Sequence, residues 1–486
     1  METHLLDGFL TPVMVPTIMS INLFKQYNTS EIDLLYATVA FGTVVSVVYS
    51  LLQFHVTRYT RSRVNLTILT ATLLTLASIT SIVGFHFIRI NLHPIAYELP
   101  FTIRGQLPSS GSAIFRKHFY ADFIPGLLIF SQTQLCSVVK HNLLTKAKRS
   151  FTFGEASLLA QLVSATYLTW ALTTYSEITG AGPFQVNLTT SIALNVGFNT
   201  FSIIFVPSYL LLNRKSTLIR YALMGLSLAL SYLRVQSLIS ASSNLDPLTW
   251  LIDHIFSTHQ KISLFSIWLS TLTACVSFST SWTRMVGRTN SLVRKVFHLA
   301  LCFVFISGHN QDINFTRFAA SCMLVLMLIL EMIRAWQLEP LGIHLEKVCQ
   351  SLRGKWDNKY LTLSHIYLLL GVFLPLWLLP DNRQTSKLSV SSGLIAVGVG
   401  DTAAAVVGTF FGKTKLRQKS DKSLEGLAGN FIAMLIFKLI WIGYLGFLSE
   451  FSFVIAALFT SLIESVTCTC DNLTLPLVMI LLLELF

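Results

Sequence analysis

Long apolar stretches alternate with short polar runs along most of this chain, and the apolar stretches have the length of bilayer-crossing helices. A spanning helix needs roughly 20 mostly apolar residues. On that measure spans are predicted near 34–54, 65–88, 123–139, 155–175, 188–212, 219–240, 263–281, 296–310, 316–333, 361–380, 389–411, 424–448, 452–467 and 472–486. The segment 8–24 reads as a further span or as an interfacial stretch. The expected fold class is all-α, a polytopic membrane protein with about 14 transmembrane helices.

Charge placement orders these spans. Basic runs fall at Arg58–Arg63, Lys140–Arg149, Arg214–Arg220, Arg284–Lys295, Arg334–Lys359 and Lys413–Lys422, and each consecutive pair is separated by two predicted spans. All of them therefore share one face, which the positive-inside rule makes cytoplasmic. The loop 89–122, with Arg89, Arg104, Arg116 and Lys117, is the exception. Sequons at Asn28, Asn187 and Asn314 fall on the opposite, lumenal side.

Composition agrees with the pattern. Hydrophobic residues make up 53% of the 486 and charged ones 12%, against about 25% charged in soluble domains. The net charge of +12 is dispersed among loops, so nucleic acid is not an expected partner. Seven cysteines, mostly in apolar stretches, imply packing rather than a disulfide framework, and Cys468 with Cys470 does not match a zinc spacing. No cleaved signal peptide is expected, because METHLLDGFL lacks a basic region ahead of its apolar run.

The unusual polar residues gather in the C-terminal part. Two regions are therefore expected: 1–280, polytopic and nearly free of intramembrane charge, and 281–486, which holds the candidate chemistry. Its focus is Leu394 to Gly426. Within Gly398-Val399-Gly400-Asp401-Thr402 an acid stands in apolar sequence, and an ionisable group in a membrane segment needs a cation or a metal as partner. Asp401 is accordingly a candidate Mg²⁺ ligand, with Glu425 as a candidate companion.

Gly408-Thr409-Phe410-Phe411-Gly412-Lys413-Thr414 is not a P-loop, since three residues separate the glycines and a membrane helix precedes them. Two readings stay open there: a GxxxG packing pair, or glycines that let backbone N–H groups approach phosphate. Lys413, Lys415, Arg417, Lys419 and Lys422 follow, and Lys422-Ser423-Leu424-Glu425-Gly426 sets a cation, a hydroxyl and an acid at the start of the next helix. A triphosphate needs such cations, and its metal needs carboxylates.

Elsewhere, Lys295 and His298 share a helical face at i, i+3, as anchors or as site residues. Glu331 and Arg334 at the same spacing read as an intrahelical ion pair. Asp471-Asn472 is either a helix cap or a second acidic element on the face of the basic loop.

GVGDTAA…GTFFGK…KSLEG, with RKVFHL before and CDNLTLPL after, resembles the dolichol (polyprenol) kinase family, as do LEMIRAWQLEPLG and LTLSHIYLLLG between them. The resemblance covers about residues 290–486. It implies an endoplasmic-reticulum membrane enzyme that transfers the γ-phosphate of CTP to dolichol, with Mg²⁺, from a nucleotide site facing the cytosol. It further implies that the nucleotide segment corresponds to Thr409–Glu425. Here Asp421 precedes Lys422 where the family often has a second lysine, and Lys419 is the expected substitute. Phosphatidate cytidylyltransferases share a similar run but continue into a His-, Gly- and Asp-rich segment, where this chain has CDNLTLPL.

The expected site is therefore catalytic Asp401, Asp471 and His298, with nucleotide contacts from Lys295, Gly400, Thr402, Gly408, Thr409, Gly412, Lys413, Lys419, Lys422, Ser423, Glu425, Gly426 and Asn472. Partners are the polyprenol substrate, CTP and membrane lipid, with Asp401 and Glu425 as metal ligands. A CTP-dependent diacylglycerol or phytol kinase is the alternative enzyme. A transporter using Asp401, Glu331 and Arg334 is the non-enzymatic one, although the N-terminal half has no counterpart to GVGDTAA.

Overall fold

The computed structural model describes residues 217–240, 245–286, 291–352, 361–379, 387–416, 422–443, 447–467 and 471–485, with scattered residues between 135 and 192. The spans expected before 217, the loop 89–122, the sequons at Asn28 and Asn187, Lys419, Cys468 and Cys470 lie outside them. Contacts divide the chain into one unit of 1–7, 142–155 and 185–486 and another of 8–141 and 156–184. The helices and the candidate site described below belong to the first unit. The boundary expected near 280 falls inside one of its continuous helices.

The described elements are helical: α1 (Thr217–Ser240), α2 (Pro247–Phe256), α3 (His259–Val286), α4 (Ser291–Gln311), α5 (Ile313–Trp336), α6 (Leu341–Leu352), α7 (Ser364–Leu378) and α8 (Lys387–Val390) come first. A π-helix (Leu394–Asp401) follows, then α9 (Thr402–Phe410), α10 (Leu424–Trp441), α11 (Phe447–Val466) and α12 (Asp471–Leu485). No strand occurs among the described residues, only a lone antiparallel bridge between Lys415 and Ser423. The predicted spans overlap α1, α3–α5, α7 and α9–α12, but 389–411 merges α8, the π-helix and α9, 424–448 overruns the end of α10, and α2 and α6 fall outside every predicted span.

Local signals set the ends. Asp246 accepts hydrogen bonds from the Leu248 and Thr249 amides, with Pro247 at the first helical position of α2. Asp312 accepts from Phe315 N at 2.9 Å to start α5. That helix stops at Gln337, whose backbone turns left-handed (φ 57) while the Gln337 and Leu338 amides return to Arg334 O and Ile333 O. Ser423 begins α10 by accepting from Gly426 N at 3.1 Å.

Among the described residues four helices are long and apolar enough to cross a membrane: His259–Trp282, Ile313–Trp336, Leu424–Trp441 and Ser449–Val466. Their faces are sorted as lipid requires. On α10 the inward residues are Gly426, Asn430, Met434 and Lys438, while Ile432, Ile436, Leu439 and Ile440 point outward. Small and polar groups lie inside, apolar ones outside, the reverse of a soluble helix. The protein is a membrane protein.

At the centre lie elements buried all round. Leu394 to Val397 of the π-helix, Val372 and Phe373 of α7, and Leu473 to Ile480 of α12 are shielded from solvent. The π-helix packs against α4, α7, α10, α11 and α12. A side chain at Gly398 would collide with Cys302 of α4, and one at Gly393 with the backbone of α7. Away from this centre, the C-terminal turn of α5 is tied down by charge. Arg334 Nη2 lies 2.6 Å from Glu331 Oε1, Nη1 lies 2.5 Å from Glu346 Oε2 on α6, and Glu331 also accepts from Thr362 N at 2.6 Å. The ion pair expected from the i, i+3 spacing is present and extends to a third residue.

Candidate active site

Asp401 is the last residue of the π-helix and is buried. Wide i→i+5 turns are rare and concentrate at functional sites. Two α4 residues meet it: Lys295 Nζ contacts Asp401 Oδ2, and His298 Nε2 lies 3.2 Å from the same oxygen. The i, i+3 face read from the sequence thus becomes a clamp on the acid, and the cation it needs comes from the protein itself. Both imidazole nitrogens are engaged, because Nδ1 lies 3.3 Å from Arg294 O while Nε2 faces Asp401 and, at 3.4 Å, Lys295 Nζ. His298 thus lies between Asp401 and the backbone of its own helix.

A second cation approaches from the loop. Lys422 Nζ lies 2.8 Å from Glu464 Oε1 and also donates to Glu464 O, so the loop is pinned to α11. Burial opposes the charge on Lys422, but the carboxylates of Glu464, Asp471 and Asp401 more than offset it and hold its pKa above the ordinary lysine value. Asp401, Lys422 and Asp471, far apart in sequence, are thus brought within electrostatic reach of one another. Glu464 is not in the set expected from sequence. An acid near the end of a predicted span reads as an interfacial residue, and only its position seven residues before Asp471 hints at more.

The glycines serve a neighbouring purpose. A Cβ at Gly408 would lie 3.4 Å from Ser423 Oγ, one at Gly426 would lie 3.0 Å from Ala404 O, and one at Gly429 would lie 2.7 Å from Val407. Gly408, Gly412, Gly426 and Gly429 therefore line the seam where α9 and α10 touch, which is the packing use of small residues. That seam holds Ser423 and the loop against the helix that continues from Asp401.

Glu425 and Thr409 have partners of their own. Glu425 accepts from Thr414 N at 3.0 and 3.2 Å through its two oxygens, so it braces the loop. Asp401 and Glu425 have separate protein partners, Lys295 and His298 for the one and the Thr414 amide for the other. Thr409 donates to Ala405 O at 2.6 Å, within its own helix. Lys413 is exposed on the loop, and Asn472 starts α12 with its carbonyl against Gly371 of α7. Gly400 and Thr402 flank Asp401, and Thr402 Oγ1 is buried without a hydrogen-bond partner among the described residues.

The chemistry of the acids suits a hard dication. Magnesium takes one or two carboxylates together with phosphates and waters, rather than a cage made by protein alone. Among the described residues no group of three or more His, Cys, Asp or Glu is gathered closely enough to hold a metal without such help. Asp401, Glu464 and Asp471, whose charges all act on Lys422, are the acids that could contribute to such an ion beside phosphates and waters.

The cytidylyltransferase family matches residues 248–474. The chain is 32% identical over 257 residues to a dolichol kinase from Homo sapiens, covering 49% of this chain and 47% of the relative. It is 30% identical over 242 residues to the dolichol kinase EVAN of Arabidopsis thaliana, covering 48% and 42%, and 27% identical over 269 residues to the dolichol kinase sec59 of Schizosaccharomyces pombe, covering 52% and 53%. The chain thus spans about half the length of the curated relatives it matches. No solved structure matches it.

Proposed function

We propose that this chain phosphorylates dolichol with CTP, giving dolichyl phosphate at the endoplasmic reticulum membrane. The reading is supported by the clamp of Lys295 and His298 on Asp401 and by the Lys422–Glu464 pair, with the charges of Asp401 and Asp471 both acting on Lys422 beside the basic loop. The likeness to dolichol kinases supplies donor and acceptor.

In this reading the polyprenol oxygen attacks the γ-phosphorus. A bond forms between them, the bond from that phosphorus to the bridging oxygen breaks, and CDP leaves. Asp471 takes the hydroxyl proton, since His298 is already engaged on both nitrogens. Lys422 and Lys413 neutralise phosphate charge, and Lys422 exchanges Glu464 for a phosphate oxygen as it does so. Lys295 and His298 keep Asp401 ionised and fixed. Magnesium, when bound with the nucleotide, would offset charge across the transferred phosphoryl group. We assign catalysis to 281–486, grip on the long isoprenoid to 1–280, about fourteen spans to the whole, and a cytosolic face to the site.

Position-specific labelling tests this. CTP labelled at the γ-phosphate should leave its label on polyprenol, and CTP labelled at the α-phosphate should not. Label from the α-phosphate in lipid would mean cytidylyl transfer, which the family description also accommodates. Diacylglycerol or phytol labelled in place of dolichol would move the assignment to a related lipid kinase.

A further inference from the structure

Asn430 lies on the inward face of α10 and is fully buried, yet neither its Oδ1 nor its Nδ2 has a hydrogen-bond partner among the described residues. A buried amide with both ends unpaired bears the full desolvation cost of each unmet group. Its surroundings are shaped to keep it there. A Cβ at Gly400 would stand 2.5 Å from Asn430 Oδ1 and 3.1 Å from Met434 Sδ, so glycine at 400 lets the amide lie directly against this backbone. The second glycine of the GVGD run is thus explained by Asn430, and it is the neighbour of Asp401 in sequence. Thr402 Oγ1, on the other side of Asp401, is a second buried polar atom with no hydrogen-bond partner among the described residues. Unsatisfied polar groups at membrane depth mark function by default.

The position indicates what the amide meets. Asn430 is about two helical turns, roughly 10 Å, along α10 from Ser423 and the basic loop. The triphosphate belongs at the loop with the lysines, whereas the amide is neutral and its oxygen lies against Gly400, beside Met434. A neutral group that both donates and accepts, presented at the end of an apolar chain, fits it: an alcohol hydroxyl. We infer that the Asn430 amide binds the hydroxyl of the lipid acceptor beside Asp401. This rests on the proposed acceptor being a long-chain alcohol, and it adds the residue that holds the reacting end of that alcohol.

The test uses the purified full chain and Asn430→Leu, an apolar replacement of similar size. Removing an unpaired amide in this way leaves folding stability equal or higher. With polyprenol varied at saturating CTP, KM for polyprenol should rise at least about tenfold, the scale of one lost hydrogen bond, while KM for CTP holds. A rise in KM for CTP instead, or no change in either constant, overturns the inference. Thermal unfolding with and without polyprenol gives a readout free of turnover: the alcohol should stabilise the wild type and not N430L, and equal stabilisation of both overturns it. A wild-type chain that is stabilised by polyprenol but transfers no phosphate would end the kinase reading and leave the alcohol site standing.

Discussion

The ammonium of Lys422 and the carboxylate of Glu464 stand 2.8 Å apart, joining the basic loop to the C-terminal end of α11. The pair has a definite pH signature. The folded pKa of Lys422 exceeds its ordinary 10.5, so the stabilisation from its charge is complete below the unfolded value and fades as pH rises through the folded one. Melting temperatures followed from about pH 9 to about pH 12 should show, above about pH 10.5, an alkaline limb that Lys422→Met reduces. Parallel curves would mean that the pair does not form in solution.

Asp401 is held by two side chains and is proposed to act directly. Asp401→Asn should lower transfer by at least about 100-fold while the protein stays inserted and folded. Asp401→Ala should in addition lose stability, about 1–3 kcal/mol, because it leaves the partly buried Lys295 without its carboxylate. Activity assays beside thermal denaturation separate the two effects, and a fully active D401N would remove Asp401 from the chemistry.

Arg334 carries the opposite expectation. It bridges Glu331 and Glu346 while buried, so Arg334→Ala should cost about 3–5 kcal/mol of stability. The surviving folded fraction should keep the wild-type KM for CTP. A selective rise in that KM would place Arg334 in the nucleotide site.

At the α9–α10 seam, Gly429→Val should destabilise by about 1–3 kcal/mol through overpacking against Val407. Preference for CTP over ATP should not change, since Gly429 lies in the seam and not on the loop. Altered nucleotide preference would give these glycines a direct part in binding.

Transfer should depend on a divalent metal. Chelation should abolish it and added Mg²⁺ should restore it. Glu464→Gln should raise the Mg²⁺ concentration needed for half-maximal rate. An unchanged requirement would assign Glu464 solely to the loop.

Much of this was legible in the sequence, for physical reasons that also mark its limits. Helices α3–α5, α7 and α9–α12 could be located because apolar residues in spanning lengths carry the signal. Asp401, Lys295 and His298 could be singled out because charge in apolar sequence is costly. That they touch could not be read, since 106 residues separate Lys295 from Asp401 and only tertiary packing joins them. Glu464 and Asn430 escape notice for a related reason: one polar residue in a span looks like tolerated noise until its neighbours are known. The π-helix has no signature at all, because its widened turns follow from how α4, α7, α10, α11 and α12 enclose it. Glu425 misleads in the other direction, being acidic and close to the lysines yet turned toward Thr414.

Wide turns between Leu394 and Asp401 carry a consequence for how this segment can vary. Each residue added to or removed from a helix swings everything beyond it by about 100° around the axis. Asp401 meets Lys295 and His298 only at the present count, so conservative side-chain exchanges upstream should be survivable where a single-codon deletion is not. In this stretch length, more than composition, is what selection has to guard.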